Sequence, residues 1–124
     1  MSDAPDTPGK AMLRWAERFN TRDPAQVTSL YAEDALLFGT SKSKLYVGKQ
    51  EIGTYFSGAA TVKLSDQTIR NLTEDTALCV GTYIFSRVTD GVETAAPARF
   101  TFVLKRQEGR WEILHHHSSA NPEK

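Results

Sequence analysis

At Gly58 the hydrophobic period of this chain changes from about 3.6 residues to two, and it does not change back. Before that point Met12, Trp15, Ala16 and Phe19 share one helical face, with Arg14, Glu17 and Arg18 opposite. Thr7 followed by Pro8 suits an N-cap with proline in the first helical position, so the spacing predicts a helix over 8–21. Asp23-Pro24 repeats the signal, and Val27, Leu30 and Tyr31 place a shorter second helix after it. Ala35 to Phe38 reads as a short strand, Thr40 to Lys44 as a polar loop, and Leu45-Tyr46-Val47 as a brief strand. Ile52, Tyr55 and Phe56 share a face on a third helix of about 10 residues, stopped near Gly58.

After Gly58 come four long strand candidates: Val62-Leu64 continuing to Ile69, Leu78 to Ser86, Val92 to Lys105, and Arg110 to His117. Asp90-Gly91 and Glu108-Gly109 mark hairpins between the last three. Val62 and Leu64 are even-numbered whereas Ile69 is odd, so a bulge near Ser65–Gln67 is needed to keep them on one face. Pro97 inside a strand demands an edge position or a bulge. Helices first and a curved antiparallel meander afterwards is an α+β plan, with the helices on one face of the sheet.

Composition narrows the partners. The 124 residues make one ordinary domain, read as a flexible tail over 1–7 and a single domain over 8–124. Fifteen basic residues balance fifteen acidic ones, which gives no electrostatic reason to expect nucleic acid or an anionic membrane. No apolar run approaches the roughly 20 residues of a membrane span. The polar, proline-containing start does not read as a secretory signal, and the lone Cys79 cannot form an internal disulfide. The expected setting is the cytoplasm.

The sequence carries a resemblance. Asp23-Pro24 through Tyr31-Ala32-Glu33-Asp34-Ala35, Gly48 to Phe56, Pro97 to Val103, and the ending Gly109-Arg110-Trp111-Glu112-Ile113-Leu114-His115-His116-His117-Ser118-Ser119-Ala120-Asn121-Pro122 resemble the nuclear transport factor 2-like (SnoaL-like) superfamily. The ending is most similar to the association (hub) domain of calcium/calmodulin-dependent protein kinase II and its stand-alone bacterial relatives of the SgcJ/EcaC-like type. The resemblance implies a cone-shaped, cystatin-like fold, a pocket between helices and sheet, and pairing through the sheet. No cofactor is expected. Ser118 and Phe102 stand where the kinase hub has arginines, which argues against carboxylate binding of the hub kind.

His115-His116-His117 most invites chemistry. Successive strand residues face opposite sides, so only His115 and His117 share a face, and two nitrogens about 7 Å apart do not close a metal site. No metal is expected. Treating Gln107-Glu108-Gly109 as a three-residue hairpin pairs Trp111 with Lys105, Ile113 with Val103, His115 with Thr101 and His117 with Arg99. Phe100, Phe102 and Leu104 then share the other face with Leu114, His116 and Ser118. With both faces apolar, the helices cover one and a second copy is the expected cover of the other, giving a homodimer or a ring of dimers.

Arg99, set among alanines and Phe100, is expected to be partly buried and to hold an anion or a structural partner carboxylate. Asp66 is the one acid that continues an apolar alternation. It is therefore either a desolvated general base, with Tyr83 or a histidine polarising a carbonyl, or a solvent-facing residue of the bulge. Trp15, Tyr31, Tyr55 and Phe56 are candidates for the pocket mouth, and Arg99, His115, His116, His117, Ser118 and Tyr83 join Trp15, Tyr31 and Tyr55 as expected ligand-binding residues. The functional expectation is a self-associating domain that binds a small apolar or anionic molecule. The alternative is an acid–base enzyme of isomerase or cyclase type.

Overall fold

The structure is a computed structural model and describes residues 5–122. Three helices, α1 (Pro8–Asn20), α2 (Pro24–Thr28) and α3 (Lys49–Tyr55), accompany six strands: β1 (Tyr31–Phe38), β2 (Leu45–Val47), β3 (Thr61–Thr73), β4 (Thr76–Thr89), β5 (Val92–Gln107) and β6 (Arg110–Ala120). The strands form one curved sheet in the order β2-β1-β6-β5-β4-β3, antiparallel throughout except for the parallel pair β1 and β6. The α+β plan with helices against one sheet face is what the sequence predicts.

The N-terminal caps form as expected. The Thr7 side chain accepts from the Lys10 N–H at 3.1 Å and Asp23 Oδ1 from the Ala25 N–H at 3.0 Å, each satisfying an amide that has no partner within its helix. α2 is shorter than its apolar spacing suggests: it ends at Thr28, and Tyr31 opens β1 instead of closing a helix. Buried Tyr31 and Ala32 are spent on sheet contacts, so tertiary packing overrides a three-residue periodicity. α3 is likewise only 7 residues long.

Of the expected tail, residues 1–4 lie outside the described residues. Asp6 is anchored: its carboxylate takes a two-pronged contact from Arg14 at 3.0 and 2.9 Å and accepts from the Trp111 N–H at 2.9 Å. Burial alone would raise the Asp6 carboxyl, but Arg14 and the Trp111 amide outweigh it and hold it below the usual range. This ties the chain start to β6. Asp6→Ala is therefore expected to cost about 2 kcal/mol, because it strands the guanidinium and the amide together. Urea titration checks this, and an unchanged midpoint would show the contact to be energetically idle.

The bulge in β3 is present, with the pairing to β4 shifting between Leu64 and Gln67. Opposite it sits Gly81, where any Cβ would overlap the Asp66 carbonyl oxygen. Only glycine lets the two backbones approach this closely. Pro97 pairs with Ile84 on one side, while on the other β6 ends at Ala120, opposite Ala98. Just past that end the Asn121 N–H donates to the Pro97 carbonyl at 3.2 Å, so the missing Pro97 N–H falls at the last rung of the ladder.

The β5–β6 register differs from the expected one. Glu108 (φ 51°) and Gly109 (φ 80°) make a two-residue turn, so Gln107 pairs with Arg110 and Arg106 with Trp111. A shift between Val103 and Leu104 then leaves Leu114 as an extra residue, after which Phe102 pairs with His116, Thr101 with His117 and Arg99 with Ser119. The bulge moves the inward set of β6 from odd to even numbers. Trp111 and Ile113 are buried before it, and His116 and Ser118 after it.

Candidate functional site

The helices do not fill the concave side of the sheet. A cavity of about 350 Å³ remains between α1, α2, the end of α3 and the inner face of β4, β5 and β6. Trp15, Leu37, Tyr83, His116 and Ser118 are its buried floor, and Phe19, Phe56 and Phe85 line its walls. Arg22, Asp23, Ser57, Arg87, Thr94 and Ala96 form an exposed rim. Tyr55 reaches the wall because its ring lies against Gly39, where a Cβ would overlap it.

The floor carries one continuous chain of polar contacts. Trp15 Nε1–H donates to the Tyr31 oxygen at 3.1 Å, and that hydroxyl lies 2.8 Å from His116 Nδ1. His116 Nε2 lies 3.0 Å from the Tyr83 hydroxyl, which donates to Ser118 Oγ at 2.5 Å. Ser118 Oγ in turn meets Thr40 Oγ1. Phe102 stacks on the imidazole with ring centres 3.9 Å apart and planes 17° from parallel, while Trp15 meets it edge-on at 5.5 Å.

This surrounding decides the protonation states. Burial, with smaller contributions from His115 and His117, pushes His116 down to about 3, so the ring is neutral at ordinary pH. Burial also raises the Tyr31 and Tyr83 hydroxyls, so both keep their protons. The floor is polar and uncharged.

Of the residues singled out from sequence, Trp15, Tyr55, Tyr83, His116 and Ser118 meet in the cavity lining, and Tyr31 supports His116 from behind. The others are elsewhere. His115 and His117 point to the opposite face of β6, 6.4 Å apart between ring centres, and burial with the neighbouring His117 lowers His115. Arg99 is exposed on that outer face, where it shares an open hollow with His117, Ser119, Thr101 and Val80. The expectation of a partly buried Arg99 fails because apolar neighbours in sequence alternate between faces; Ala98 and Phe100 are buried, but on the other side. Asp66 sits exposed in the β3 bulge, its N–H donating to Thr82 Oγ1 at 3.3 Å, and does not line the cavity. Of its two readings from sequence, the solvent-facing one describes this position.

Sequence reasoning missed Thr40, Leu37 and the rim. Thr40 lies in a loop whose only local signal is polarity, and it reaches Ser118 because β1 runs parallel to β6, pairing Phe38 with His117.

A curved sheet, a helical cover and an open cavity with a neutral polar floor define a cone-type α+β fold. The chain belongs to the SnoaL-like domain family, within the nuclear transport factor 2-like group: the family's model matches residues 10–122. Among solved structures it is similar to a candidate calcium/calmodulin dependent protein kinase II association domain from Xanthomonas campestris, with TM-score 0.84 and 28% identity over 100% of this chain and 99% of the other. The association domain of the C. elegans kinase superposes with TM-score 0.76 at 17% identity, covering 90% and 91% of the two chains. A ketosteroid isomerase-like protein from Erwinia carotovora atroseptica does so with TM-score 0.76 at 19%, covering 93% and 94%. No curated protein is significantly similar to the chain in sequence.

Proposed function

We propose that this protein is a self-associating binding domain whose cone takes up a small, mainly apolar molecule, uncharged at the end that reaches the floor. The observation that carries this reading is the cavity itself, with aromatic walls over a polar floor that holds no charge. A charged head placed there would lose its hydration without a counter-ion, whereas an apolar body gains by displacing water from Phe19, Phe56 and Phe85. Arg22 and Arg87 restrict any anionic group to the rim.

An acid–base mechanism finds less support. Asp23 is the one carboxylate in the described lining, and it is exposed and occupied in capping α2. Both His116 nitrogens are already engaged. Saturable quenching of tryptophan emission by 2-isopropenylnaphthalene, lost in Ala96→Phe at the rim, is the expected result. Unsaturable quenching in both proteins would refute the pocket reading.

Self-association rests on the other sheet face. Leu36 and Phe38 on β1 and Val47 on the adjoining β2 are exposed there, with Val80 farther across the sheet on β4, on the side away from the helices. The similar Xanthomonas and C. elegans proteins are described as association domains. A second copy placed on this face would bury the apolar patch by a two-fold contact. Sedimentation at micromolar concentration is expected to give a dimer or a multiple of one, and Leu36→Glu with Phe38→Glu to give monomers. A wild-type monomer would remove the self-association half of the proposal.

A further inference from the structure

The direction of each hydrogen bond along the cavity floor can be worked out by counting protons. Trp15 Nε1 can only donate, so the Tyr31 oxygen accepts from it. At the other side of the imidazole, the single Tyr83 proton is used on Ser118. The contact between Tyr83 and His116 Nε2 must then be an N–H donating to the phenol oxygen. In a neutral ring this leaves Nδ1 as acceptor, and it takes the Tyr31 proton. Every donor from Trp15 to Tyr83 points the same way.

The chain ends on two hydroxyls. Ser118 and Thr40 hold two protons between them, Ser118 already accepts from Tyr83, and a single contact joins the pair. Only one proton fits in that contact. Whichever hydroxyl donates there, the other proton has no acceptor among the described residues, and both side chains line the cavity. Ser118 is 5% exposed and Thr40 is exposed, so this end of the chain runs from the buried floor toward the cavity mouth. The bonds behind it also polarise it, since each donor strengthens the next.

We infer that the Ser118–Thr40 end is a built hydrogen-bond donor, and that the cone therefore selects apolar molecules carrying an acceptor oxygen, such as a ketone. This deepens the pocket reading above and rests on it. A ligand without an acceptor covers the proton and leaves it unpaired, and one offering only N–H sets donor against donor.

Two probes of the same shape test this: 2-acetylnaphthalene and 2-isopropenylnaphthalene, which differ in C=O against C=CH2. The ketone is expected to bind about tenfold more tightly, the worth of one unopposed hydrogen bond. Its carbonyl stretch, isolated by 13C labelling, is expected below its value in hexane. Thr40→Val leaves Ser118 holding the free proton whichever hydroxyl held it before, so the stretch should stay below the hexane value. Equal affinities, or a hexane-like stretch in bound ketone, would overturn the inference and leave the pocket reading standing. A hexane-like stretch in folded Thr40→Val would also overturn it, because Ser118 would then not be donating. Binding of neither probe would overturn both.

Discussion

Trp15→Ala is expected to destabilise the protein by about 3–5 kcal/mol, a large part of the stability of a domain this size. The side chain is fully buried, and its ring centre lies 5.2, 5.3 and 5.7 Å from those of Phe19, Phe102 and Tyr83. Truncation removes these contacts and the donor to Tyr31, and it opens the floor into the cavity. α1 is the one long helix on the sheet, so little else can move in to fill the gap. Urea titrations at one fixed protein concentration measure the loss. Trp15→Phe should lose less because the ring survives, and a cost below about 1 kcal/mol for alanine would contradict the packing described.

Acid should destabilise the fold through His116. Its folded value near 3 lies below the ordinary 6.5, so between these values the unfolded chain binds a proton that the folded chain refuses. Stability attributable to this group is therefore complete above about pH 6.5 and is lost as the pH falls toward 3. Between pH 7 and pH 5 the linkage amounts to about 2 kcal/mol. Protonation would also give Nδ1 a hydrogen aimed at a tyrosine oxygen that already accepts from Trp15. His116→Phe keeps the stack on Phe102 and removes the titration. Its unfolding free energy should be lower at pH 7 but flatter toward pH 5, and an equally steep decline in both proteins would dissociate the effect from His116.

Much of the site was legible before the fold was known. Trp15 and Tyr83 stand out as aromatics on strongly patterned elements, and His116 and Ser118 fall on one face of any β6 strand. Tyr31 was misplaced onto a helix because Val27, Leu30 and Tyr31 imitate a helical stripe. Arg99 has apolar neighbours in sequence, but they alternate between sheet faces and leave its own side exposed. Thr40 carried no signal, since its role depends wholly on a strand about 80 residues away in the chain.

The sequence by itself determined the kinds of element and their order. Cap residues, the change of period at Gly58, the Asp90-Gly91 turn and the parity break before Ile69 are all encoded within a few residues of where they act. Tertiary structure alone decided the register of β6 and the neighbour of β1. The run Leu114-His115-His116-His117 has no alternation to say which side faces inward, and the extra residue at Leu114 settles it only when Phe102 and Trp15 close around His116. The parallel pairing of β1 with β6 is equally silent in the sequence, because the benefit of that contact comes from burial shared between distant segments. That pairing brings Tyr31 to His116 and Thr40 to Ser118 along the polar chain, and so it creates the site.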